Sequence, residues 1–94
     1  MSATNNRDVR GCILRTLYEG GKDNAMSQRS VERILLPLTV DIAPYIRYLK
    51  EKGYIRNFEI GDLDTSILGN ILQLTTKGVD LVERSIPADP GVIA

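Results

Sequence analysis

Residues 43–56 read APYIRYLKEKGYIR, and two kinds of backbone meet inside this stretch. Ile46 and Leu49, with Ile42 just before them, repeat at a spacing of three to four, which is the period of one helix face. Pro44 falls in the first turn, where a missing amide hydrogen costs nothing. Lys50 and Lys52 fall in the last turn, where the helix dipole favours cations. Asp41 is the expected N-cap, so the spacing predicts a helix over 41–52. Gly53 then lets the chain leave the helix within one or two residues, because a residue without Cβ takes the left-handed conformation with no steric penalty. Leu49 and Ile55 can meet over that turn and bury it.

Downstream, YIRNFEI (54–60) and ILGNILQLT (67–75) are rich in β-branched and aromatic residues and read as strands. The polar GDLDTS between them makes an antiparallel hairpin the simplest connection. Gly69-Asn70 marks either a bulge or a later start of the second strand. A last helix is expected over 76–86, capped by Thr75, with Val79, Leu81, Val82 and Ile86 inward. The tail PADPGVIA (87–94) is expected to be extended or disordered.

Upstream, a first helix fits 6–19. Asn6 is its N-cap, Asp8 sits in its first turn, and Val9, Ile13 and Leu17 repeat at spacing four beside Cys12 and Leu14. Gly20-Gly21 ends it. KDNA (22–25) reads as a loop. A short second helix fits 28–36 behind Ser27, with Val31, Ile34 and Leu35 as its apolar stripe, Leu38 as a continuation of that stripe beyond the end, and Pro37 as its stop. Residues 1–5 are polar and expected to fray.

Ninety-four residues make one small domain, here with 43% hydrophobic and 26% charged residues. No apolar run approaches the roughly 20 residues that span a bilayer. The N-terminus lacks the apolar segment of a secretory signal. The single cysteine, Cys12, can form no internal disulfide, which favours the cytoplasm. The absence of histidine removes the commonest general base and transition-metal ligand, and with no paired carboxylates in view neither an enzyme nor a cofactor is expected. Twelve basic and twelve acidic residues balance to zero, so any nucleic-acid surface must come from where charges sit and not from their sum.

The predicted order is helix, helix, helix, strand, strand, helix, mainly α with a small β-hairpin. Together with VERILLPLTVDIAPYIRYLKEKGYI (31–55) and LTTKGVDLVE (74–83), it resembles the winged helix-turn-helix family over about residues 7–86. YLKEKGYI (48–55) is similar to that family's exit from the recognition helix, and LTTKG to its strand-to-helix junction. Small proteins of this shape occur in bacteriophages and prophages. The resemblance implies a double-stranded DNA-binding transcriptional regulator with helix 41–52 in a major groove. Thr39, Tyr45 and Tyr48 would then lie near base edges. Arg47 would reach a base or a phosphate, and Arg29, Arg33, Lys50 and Arg56 would hold phosphates. It also implies a homodimer through helices 6–19 and 76–86, where Leu14, Tyr18 and Leu81 either form the interface or complete the core of a thin domain.

The chain departs from the pattern in two places. Its helix-two-to-three turn carries Pro37 and no glycine. Its presumed wing carries Glu59, Asp62 and Asp64 with only Arg56 basic nearby, and acidic residues repel phosphates. Two alternatives therefore stay open: the outer residues of helix 41–52 form only a solvated face, or the domain is a protein–protein interaction module in a phage or cellular assembly.

Overall fold

The computed structural model describes residues 6–20, 23–60 and 69–92. Among them the chain forms four α-helices and a three-stranded antiparallel sheet: α1 (Asn6–Gly20), β1 (Ala25–Ser27), α2 (Gln28–Leu35), α3 (Ala43–Glu51), β2 (Ile55–Ile60), β3 (Gly69–Leu74) and α4 (Thr76–Val82). No helix of the described residues is long and apolar enough to cross a membrane.

The glycine exit from α3 is built as the sequence predicts. Gly53 has φ +83°. Its amide donates to the Lys50 carbonyl at 3.0 Å, and the Tyr54 amide reaches back to the Leu49 carbonyl at 3.0 Å. This pair of bonds closes the last carbonyls of a helix when the residue past the cap is left-handed. Ile42, Ile46 and Leu49 are buried, and so are Tyr54 and Ile55 across the turn. α3 runs from Ala43 to Glu51 and not over 41–52, and its N-cap lies one residue later than expected. Ile42 is the N-cap and carries no side-chain cap bond. Asp41 still accepts from the Ala43 amide through Oδ1 at 3.0 Å, so its carboxylate serves the first turn from one position earlier.

β2 and β3 pair residue for residue from Ile55↔Leu74 to Ile60↔Gly69. The unbroken register means that Gly69-Asn70 makes no bulge, and residues 67–68, expected in the same strand, lie outside the described residues. The turn segment 61–66, with Asp62 and Asp64, lies outside the described residues. A third strand was not expected. Within the segment read as a loop, Asp23 and Asn24 take left-handed φ values of 56° and 58°. They turn the chain so that Ala25, Met26 and Ser27 pair with Gln73, Leu72 and Ile71. The sheet order is therefore β1-β3-β2. Three residues are too few to show an alternating pattern, which is why the sequence hid this strand.

Helix α1 packs against the other three helices and against β1 and β3. Its Val9, Ile13, Leu14 and Leu17 form the centre of a core completed by Val31, Leu35, Leu72, Leu74 and Leu81. Asn6 is the first residue of α1 and not a cap outside it. In α2 the apolar stripe is narrower than predicted, because Val31 and Leu35 are buried while Ile34 is 52% exposed. Four-residue spacing puts Val31 and Leu35 on one line, and Ile34 stands on its shoulder.

α4 starts as predicted, with Thr75 Oγ1 accepting from the Gly78 amide at 3.1 Å. A Cβ on Gly78 would run into the carbonyl oxygen of Tyr54. The Thr75 hydroxyl donates to the Gly53 carbonyl at 2.6 Å. The two glycine-bearing junctions therefore dock on each other. α4 ends at Val82 and not at 86. Arg84 takes φ 63°, and the Ser85 amide donates to the Asp80 carbonyl at 2.8 Å. This is the same closing pattern as at Gly53, with arginine where glycine is usual. Residues 87–92, expected as an extended or disordered tail, fold back so that Val92 is buried in the core.

Candidate functional site

The outer side of α3 follows from its inner one. With Ile46 and Leu49 buried, Ala43, Pro44, Arg47, Lys50 and Glu51 are exposed. An open cleft of about 400 Å³ runs between this helix, the first residue of α2 and strand β2, lined by Gln28, Ile46, Arg47, Lys50, Glu51 and Asn57 with Ala43. The guanidinium of Arg47 and the ammonium of Lys50 are donors suited to phosphate oxygens. The amides of Gln28 and Asn57 can both donate and accept. Glu51 adds an acceptor and offsets one of the two positive charges.

The other predicted residues are distributed around this cleft without lining it. Arg29 and Arg33 are exposed, four residues apart on the outer side of α2. Arg56 is exposed on β2, but strand alternation sends it to the sheet face opposite Asn57. The Thr39 hydroxyl is engaged in the α2–α3 link, where it donates to the Asp41 carbonyl at 3.2 Å. Tyr45 is half-buried and donates to Asn6 Oδ1 at 3.1 Å, tying α3 to the start of α1. Gln28 and Asn57 were missed by sequence reasoning. A lone amide at a helix start and another in a strand carry no pattern that singles them out.

Tyr48 is held on the other flank of α3. The Arg10 guanidinium stacks 3.7 Å from the centre of its ring and donates to the Gly91 carbonyl at 3.0 Å. Asp89 anchors the same segment. It accepts from the Tyr54 hydroxyl at 2.6 Å and from the Gly91 amide at 2.7 Å, with Lys52 at 4.0 Å. Burial and then the Asp89 bond push the Tyr54 hydroxyl from its ordinary 10.0 up to about 12. Burial alone would raise the Asp89 carboxyl, but the bonds from Tyr54 and Gly91, with Lys52 and Lys77 nearby, outweigh it and hold the group below the usual carboxylate range. Tyr48 is thus part of a structural dock for residues 89–92.

Of the two places open to Leu14, Tyr18 and Leu81, interface or core, the structure puts them in or against the core. Leu14 and Leu81 are core residues at 0% and 4% exposure. Tyr18 donates to Glu83 Oε2 at 2.6 Å and so joins α1 to the end of α4. Among the described residues, the large aliphatic side chains that stand exposed are Ile34, Leu36, Leu38 and Val40, at the end of α2 and in the link that follows. Among the described residues, no three His, Cys, Asp or Glu side chains gather into a group that could hold a metal ion.

Comparison of the chain with protein-family models, with curated proteins and with solved structures returns no match.

Proposed function

We propose that the chain is a winged helix-turn-helix protein that binds double-stranded DNA, a non-enzymatic transcriptional regulator that sets α3 in a major groove. The observation that carries this reading is the pairing of Arg47 and Lys50 in one open cleft with two amide side chains, Gln28 and Asn57. The order of a helix, a short strand, two helices, two paired strands and a last helix supports it as well. In this reading Arg47 reaches base edges or a phosphate, as Ala43 and Pro44 beside it allow the helix to approach closely. Lys50 neutralises a phosphate on the β2 side, and Arg29 and Arg33 face the flanking backbone from α2. Tyr48, committed to the C-terminal dock, takes no part.

A chain of zero net charge owes its affinity to such local placement, so few phosphates are neutralised. For two to four of them the logarithm of affinity should fall against the logarithm of salt with a slope of about −2 to −4. The test is fluorescence anisotropy of a labelled duplex at low and moderate salt. Replacing both Arg47 and Lys50 by alanine is expected to weaken binding by about tenfold or more and to flatten that slope by about two. Unchanged affinity in the double variant would refute the docking.

One observation favours a second reading, a protein–protein interaction module in a phage or cellular assembly: the exposed aliphatic run at 34–40 on a neutral chain. Absence of duplex binding even at low salt would put this reading first.

A further inference from the structure

Ile34, Leu36, Leu38 and Val40 are 52%, 57%, 40% and 88% exposed. Single apolar residues on a surface are ordinary, but these four fall within seven residues of chain. Two of them, Ile34 and Leu38, also wall a cleft of about 330 Å³ against α1, together with Cys12, Thr16 and Leu35. Arg15 and Glu19 of α1 complete the lining. Both are exposed, and four-residue spacing sets them on one side of the helix, about one turn apart.

We infer that this ridge binds a second copy of the same chain, in a two-fold dimer that sets Arg15 of each protomer against Glu19 of its partner. The charge pattern selects the occupant. A two-fold interface joins one patch to itself, so the patch must be self-complementary. One cation and one anion a turn apart on the same helix satisfy this: two α1 helices running antiparallel across the axis place Arg15 opposite Glu19 twice. A patch of one sign would repel its own copy. The balanced net charge adds no long-range repulsion between copies. The aliphatic ridge then supplies the apolar centre, and the ion pairs lie at its edge and fix the register.

This surface shares no lining residue with the cleft at Arg47 and Lys50. The inference therefore does not rest on the DNA reading, and its test contains no DNA. Sedimentation velocity of the full chain from micromolar to millimolar concentration is expected to show a mass rising from one chain toward two. Leu38→Glu, at an exposed site, is expected to keep the thermal melt of the dilute protein and to abolish the rise. Arg15→Glu is expected to weaken the dimer by about tenfold, since it places like charges together twice. Adding Glu19→Arg to that variant is expected to restore the affinity.

Three results would overturn the inference. A wild-type chain that stays monomeric throughout would assign the ridge to a different partner. A dimer indifferent to Leu38→Glu would be built on another surface. A double exchange that fails to recover what Arg15→Glu loses would reject the antiparallel pairing.

Discussion

The C-terminal segment 87–92 and the link 36–41 are both irregular and both carry proline, yet they treat their aliphatic side chains in opposite ways. The first carries Val92 back into the core at 6% exposure and fastens it with Asp89, Tyr54 and Arg10. The second leaves Leu36, Leu38 and Val40 in water, with Ile34 beside them. A chain of this size has little apolar surface to spare, and burial is what stabilises it. That it covers one flank of α3 with its own terminus and leaves the far end of α2 bare separates surface used in folding from surface available for assembly.

The largest effect is expected where the terminus enters the core. Val92→Asp would bury a carboxylate without partners and should destabilise the fold by about 3 kcal/mol or more. Val92→Ala should cost about 2 kcal/mol, through lost contact and a residual cavity. For a domain of this length each kcal/mol lowers the melting temperature by about 4–8 °C, which calorimetry resolves. An unchanged melt in both variants would remove the C-terminal segment from the fold and erase the contrast.

The fastening itself should show in the pH dependence. Tyr54→Phe removes the hydroxyl that donates to Asp89 and should cost about 1–2 kcal/mol near neutral pH. In the wild type the Tyr54 hydroxyl titrates near 12 when folded and near its ordinary 10.0 when unfolded. Its stabilisation is therefore whole below 10 and is lost as pH rises toward and through 12. Asp89 works in the opposite direction. Its folded value lies below its ordinary 3.8, so its contribution is present above 3.8 and is lost as pH falls through the lower folded value. Urea midpoints across pH should fall at both ends in the wild type. In Tyr54→Phe the alkaline loss attributable to this residue should be absent. Substitutions on the 34–40 ridge should leave both limbs in place.

How far the sequence revealed these features depended on whether a residue type was forced by its backbone. Gly53 is at φ +83°, and the helix-to-strand exit was read from it directly. The hairpin was legible from two β-rich runs, and the α4 start from Thr75. The end of α4 was not, because Arg84 adopts the left-handed conformation that only glycine or asparagine would have advertised. β1 is three residues long, and its pairing is fixed by the distant β3 and not by its own composition. The docked terminus rests on one valine and one aspartate whose partners are far off in sequence. At the candidate site, Arg47 and Lys50 were found by subtracting the buried face of a helix, whereas Gln28 and Asn57 join them only through tertiary structure. Ile34 was assigned inward because its type fits a stripe, although Val31 and Leu35 already fill that face. From Ile34 to Val40 the exposed aliphatics stand at every second position, a spacing that no helix interior would produce.

The smallest effect is expected on the bare segment. Val40 is 88% exposed, so folding removes almost none of its surface from water, and apolar stabilisation scales with the area removed. Val40→Ser should therefore change the stability of a dilute sample by no more than about 0.5 kcal/mol in chemical denaturation. A loss near 2 kcal/mol would mean that this side chain is covered in the folded monomer, and the two segments would then differ only in degree. The same substitution should behave differently at high protein concentration. If folded copies associate through the ridge, the wild-type melting temperature rises with concentration, because whatever binds only the native state stabilises it by mass action. Val40→Ser should flatten that rise while Val92→Ala, for all its larger loss, should leave the slope intact. The segment that matters least to the isolated chain would then be the one that sets its response to concentration.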